Sequence, residues 1–121
     1  MATLLVNTGK AIVTSRLNSG GTIPQYVAWG TGAGTTAAAD TTLFTETGTR
    51  VSGTVSQVTT STTNDTFQVV GTQTAGATLA ITNAGLFDAS TAGNLFAKGD
   101  FSTINLSSGD SIQFTFKVQF S

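Results

Sequence analysis

Residues 111–121 alternate strictly, with Ile112, Phe114, Phe116, Val118 and Phe120 on one side and Gln113, Thr115, Lys117, Gln119 and Ser121 on the other. A period of two with aromatic and β-branched residues on the apolar side is the pattern of a half-buried strand. A helix would spread the phenylalanines around its circumference. Covering five large apolar side chains, at roughly 1.5–3 kcal/mol each, amounts to on the order of 10 kcal/mol of gross burial. The rest of the chain must supply a second apolar layer, and the pattern predicts that this strand is central or well covered. Ser107-Ser108-Gly109-Asp110 is a turn cluster that sets its start.

Working back through the chain, polar turns separate further strands. Residues 49–59, with Val51 and Val55 on one face, and residues 66–74, with Phe67, Val69 and Gly71, flank the turn Thr60-Ser61-Thr62-Thr63-Asn64-Asp65 and read as a hairpin. Residues 78–87 form the next strand, with Leu79 and Ile81 alternating before Asn83-Ala84-Gly85, where the glycine signals a bulge or a close backbone approach. Residues 94–106 return after the turn Asp88-Ala89-Ser90-Thr91-Ala92-Gly93, and Gly99 is expected to bend them. Residues 25–30 are a short apolar strand. A helix is expected over 8–18, capped by Asn7 or Thr8, with Ile12, Val13 and Leu17 on its apolar side and Gly20-Gly21 as its stop; Gly9 and the β-branched run Ile12-Val13-Thr14 lower its propensity and leave a strand as the competing reading. Pro24 breaks any continuation. The expected architecture is mainly β, an antiparallel β-sandwich or small barrel with one short N-terminal helix, as one domain spanning 1–121.

Strand 25–30 runs into Gly30-Thr31-Gly32-Ala33-Gly34, which invites comparison with a nucleotide-binding loop. The spacing is neither G-x-G-x-x-G nor a phosphate loop with Lys-Ser/Thr, and no long amphipathic helix follows. A glycine-rich turn is the better reading, with at most one helical turn at Ala37-Ala38-Ala39-Asp40 and with Leu43 and Phe44 anchoring the loop on the core.

Little in the composition supports catalysis. The chain has no cysteine and no histidine, which leaves no disulfide framework, no zinc site of the usual ligand types and no Ser-His triad. A Ser-Lys dyad has no motif to support it. Of the six carboxylates, Asp65, Asp88 and Asp110 sit in expected turns, Asp40 in a loop, and Glu46 and Asp100 complete the set. No calcium-loop spacing joins any of them. No catalytic, cofactor-binding or metal site is therefore assigned. Charged residues make up 9% of the chain and the formal net charge is -1, which argues against phosphate-backbone binding and so against a nucleic-acid partner. In their place stand 25 Thr and 11 Ser, a surface that loses little side-chain entropy when another protein covers it. No apolar run approaches the roughly 18 residues of a membrane span, and residues 1–17 lack the order of a signal peptide. Tyr26 and Trp29, the only Tyr and Trp, would be candidate interface anchors or sugar-stacking residues if exposed, but three-residue spacing on a strand points them to opposite faces, so core or subunit-interface packing is the better reading.

The order Asn7-Thr8-Gly9-Lys10-Ala11, Tyr26-Val27-Ala28-Trp29-Gly30-Thr31-Gly32, Asn83-Ala84-Gly85-Leu86-Phe87-Asp88 and the alternating C-terminal strand resembles small structural proteins of tailed bacteriophages. A similar pattern occurs there in capsid decoration (cement) proteins and in tail-fibre modules. The resemblance spans nearly the whole chain, rests on folding motifs and implies no catalytic residues. It implies a non-enzymatic virion protein on the outer surface of the head, a homotrimer at local threefold positions that clamps neighbouring major capsid protein subunits. The alternative is a tail-fibre or baseplate module that binds host surface glycan or other tail proteins. The chain has no heptads and no collagen-like repeat, which favours the head.

Overall fold

The structure is a computed structural model and describes residues 3–120. Along the chain come β1 (Leu4–Leu5), α1 (Asn7–Ser19), β2 (Tyr26–Gly30), β3 (Glu46–Ser52), β4 (Thr54–Val58), β5 (Thr66–Thr74), β6 (Leu79–Phe87), β7 (Leu95–Leu106) and β8 (Ser111–Gln119). They form two antiparallel sheets, one ordered β1-β7-β6-β2-β3 and the other β4-β5-β8, and among the described residues no barrel closes. The mainly β sandwich with a short N-terminal helix is the expected class.

Apolar side chains from both inner faces meet in the main core. Val27, Trp29, Ile81, Ala84, Leu86 and Phe96 of the large sheet pack with Val69 and Phe116 of the small one. Trp29 meets Phe114 edge to face at 6.4 Å, an arrangement the ring quadrupoles favour. A second apolar cluster of Val6, Ala28, Leu43, Phe87 and Leu95 lies apart from the first. Alternation along β2 explains the division, since Val27 and Trp29 belong to the first cluster and Ala28 and Tyr26 to the second. Leu43 brings the connection 31–45 onto this outer face of the large sheet, as the expected anchoring required.

Four expectations are corrected. The single strand expected over 49–59 is two strands in different sheets, because the chain turns a corner at Gly53. A Cβ there would lie 2.6 Å from Val69 Cγ1 and 3.0 Å from the Val70 carbonyl oxygen, so only glycine fits. β8 keeps the expected alternation but is an edge strand, paired among the described residues with β5 alone. It ends at Gln119, Phe120 is 47% exposed, and Ser121 lies outside the described residues. The irregularity expected at Gly99 falls elsewhere. Gly99 pairs regularly with Ala84, and the register shifts where Ile81 opposes Ile104 and Asn83 opposes Asp100. Finally, α1 is capped by Val6, with no side-chain cap. Asn7 N–H instead donates to Ala38 O, and the Thr8 hydroxyl donates to Leu95 O at 2.7 Å, so both expected caps dock the helix onto its surroundings. Gly9 permits that docking, because a Cβ there would overlap the Phe96 carbonyl oxygen.

Candidate functional site

The six carboxylates are all engaged in holding the fold. Asp65 accepts from the amides of Thr60 (2.9 Å), Ser61 (3.0 Å) and Thr62 (3.0 Å) and from the Thr66 hydroxyl, closing the β4–β5 turn. The Thr62 amide, followed by that of Thr60, holds its carboxyl well below the usual range. Asp110 accepts from Ser107 N–H at 2.8 Å and closes the β7–β8 turn. Asp88 accepts from Asn94 N–H at 2.7 Å and pairs with Arg16 at 3.3 Å, so it ties the β6–β7 turn to α1. Glu46 receives Arg50 at 2.8 and 3.0 Å. The same guanidinium donates to the carbonyls of Ala89 and Ala92 and lies 3.6 Å over the Phe87 ring. Asp100 accepts from Thr36 N–H at 2.8 Å.

Asp40 has a partner that sequence reasoning missed. Lys98 on β7 is wholly buried, and its ammonium donates to Asp40 at 2.9 Å and to Thr42 O at 3.0 Å while lying 3.3 Å over the Phe44 ring. Every partner comes from the connection 31–45, so the lysine fastens that cover to the outer face of the large sheet. The Ala37 amide, and then Lys98, hold the Asp40 carboxyl below its ordinary value. Asn83 on β6 adds a second fastening, accepting from Phe44 N–H at 3.0 Å and donating to Phe44 O at 3.1 Å. The glycines of Gly30-Thr31-Gly32-Ala33-Gly34 serve the same cover, since a Cβ at Gly32 or Gly34 would meet Phe44. They make room for a side chain, not a phosphate.

Trp29 is 1% exposed and is therefore part of the inter-sheet core, not a surface anchor. Tyr26 is half-buried on the opposite face, against the second cluster. The two aromatics form no shared platform. Among the described residues, no three acidic side chains come together where they could hold a metal ion.

What the surface does offer is a groove of about 420 Å³ between α1 and the small sheet. Ile12, Val13, Phe67 and Phe96 form its floor, and Leu17, Pro24 and Phe120 line it with them. Leu17, expected to be buried on the helix's apolar side, is 83% exposed. Beside the groove lies a smaller polar recess of about 260 Å³ that includes Thr8, Ser15, Arg16, Asp88 and Asn94. The outer face of the small sheet is polar, with Thr54, Ser56, Thr72, Thr74, Gln113, Thr115 and Gln119 exposed and Lys117 as its one charge. No helix among the described residues is long and apolar enough to cross a membrane. No family model matches the chain, and no curated protein or solved structure does either.

Proposed function

We propose that the chain is a non-enzymatic structural protein of a phage virion, a decoration protein that stabilises the head by binding neighbouring subunits of the major capsid protein. The observation that carries this reading is the division of labour among the side chains. The six carboxylates hold turns, ion pairs or, at Asp100, the connection that covers the large sheet, while the outer face of the small sheet is Thr, Ser and Gln with Lys117 as its one charge, and an apolar groove lies beside α1. Such a surface has much to offer a protein partner. The groove edged by Leu17 and Phe120 is the patch we assign to the capsid subunit, since exposed large apolar side chains on a small domain favour a protein contact. Many modest contacts then add up to high avidity, and low surface charge makes the attachment tolerant of salt.

The experiment is to add the purified chain to undecorated, tailless heads and to count copies per virion on quantitative gels. Hundreds of copies and heads that better withstand heat or chelation are expected, with Leu17→Asp abolishing the attachment. A handful of copies, no binding to tailless heads and adhesion to host cells would overturn the reading. That result would promote the tail module, for which the polar recess of Thr8, Ser15, Arg16, Asp88 and Asn94 is the favouring observation, because such side chains hydrogen-bond sugar hydroxyls.

A further inference from the structure

The outer edge of β8 differs from the other strand edges among the described residues. β1 is two residues long. β3 has a broken register with β2 around Gly48 and carries the Glu46–Arg50 ion pair. β4 is five residues long and starts at the Gly53 corner. β7, beyond its two pairings with β1, carries Asp100 and the register shift that follows it. Short length, charge and broken register are the means by which sheets keep an edge from pairing with another chain. β8 is neither short nor broken. Its nine residues run in unbroken register with β5, without proline, glycine or bulge, and the single such device it carries is one charge, Lys117, on the solvent face.

We propose that β8 pairs antiparallel with β8 of a second copy across a two-fold axis at Thr115, joining two three-stranded sheets into one of six. This register engages all nine residues of each strand. Phe114 comes opposite Phe116 of the second copy and Ile112 opposite Val118, so the inward apolar row continues from one copy into the next. That row needs completing, because Ile112, Phe114 and Val118 are only half-buried in the single chain. On the solvent face Lys117 comes opposite Gln113, and each ammonium meets an amide. A slip that centred the pairing on Lys117 would set the two like charges against each other and lose four residues of overlap at the strand ends.

The pairing goes beyond the decoration reading and does not depend on which particle the chain binds. It also commits the chain to a two-fold assembly where the resemblance implies a trimer. β4 and β8 both run antiparallel to β5, so they point the same way. A closed ring of three copies joined through these edges would lay β8 beside β4 in parallel, with five residues facing nine.

Gln113 is exposed and faces Thr72 within its own sheet, so its charge can be changed without disturbing the single chain. Gln113→Glu places a carboxylate opposite Lys117 at both symmetric positions and should tighten self-association of the full chain roughly tenfold at low salt. Gln113→Lys should weaken it by a similar factor. Sedimentation equilibrium reads both. Thr115→Cys supplies the only thiol in the chain and should yield a disulfide-linked dimer on mild oxidation, since residue 115 faces its own copy. A chain that stays monomeric at high concentration, a trimer, or two charge variants that shift in the same direction would each overturn the proposal.

Discussion

The five-stranded sheet is covered on both faces, by the small sheet on one side and by the connection 31–45 on the other, whereas the three-stranded sheet is covered on one face and open along β8. The difference is visible in burial. From Asn83 to Asp88 every residue of β6 and its end is buried, while along β8 exposed and covered residues alternate and only Phe116 is fully buried. A strand buried on both faces loses its two-residue period, and a strand buried on one face keeps it. The clearest alternation in the sequence therefore marks the most exposed sheet of the molecule and not its centre. Position in the sheet follows from neighbours, which periodicity does not encode.

The largest effect expected is from Phe116→Asp, which would bury an unpaired charge at the one fully covered position of β8 and abolish folding. Circular dichroism would show it, and a folded variant would mean that the small sheet can detach from the core. Next come paired truncations of two rings that touch each other. Trp29→Ala, in the closed sheet, should cost about 3–5 kcal/mol, and Phe114→Ala, half-buried in the open one, about half as much. Equal shifts in urea midpoint would erase the distinction between the sheets.

Acid should act on both regions through a smaller effect. Asp65 in the turn of the small sheet and Asp40 in the cover of the large one are both held below their ordinary value of 3.8. Their stabilisation is present in full above that value and is lost as pH falls through the depressed folded values. Stability should therefore be flat from neutral pH down to roughly pH 5 and fall below roughly pH 4, and Asp65→Asn should lower the plateau and soften the fall. An unchanged acid limb in that variant would remove Asp65 from the account. The smallest effect is from Lys117→Thr on the bare face of β8, within about 0.5 kcal/mol by thermal denaturation of the single chain. A larger loss would mean that the bare face is covered by something the single chain does not contain.

Local chemistry made much of the fold legible. The turn clusters at 60–65, 88–93 and 107–110 delimit strands because Asp and Gly carry their conformational signals in the residue itself. Gly85 signals a bulge or a close approach, and the structure shows the second, since a Cβ there would meet the Ala97 carbonyl oxygen and Leu43 at 2.8 Å. The corner at Gly53 was not legible, since a glycine inside an alternating run looks the same whether the strand bulges or changes sheets. Leu17 has the four-residue spacing from Val13 of a core position, although the helix buries only Gly9 and Ile12. The groove that Leu17 lines is the feature that sequence reasoning least foresaw. Lys98 was hidden for the opposite reason. Within Leu95-Phe96-Ala97-Lys98-Gly99 the only signal was a cation inside an apolar run, and its acidic partner lies 58 residues away.

The fastening of the cover has a consequence for what happens when the chain is cut. Residues 33–35, 37 and 39 are exposed, so a protease can reach the connection there. The piece before such a cut keeps β2, which lies between β6 and β3 of the other piece. Asp40, Thr42 and Phe44, all in the second piece, stay clasped on its Lys98 and Asn83, so the cover keeps its place beside the cut. A nicked molecule would thus run as two bands on a denaturing gel and as one species on a native column, and a particle coated with it would keep its coat after the covalent chain was broken.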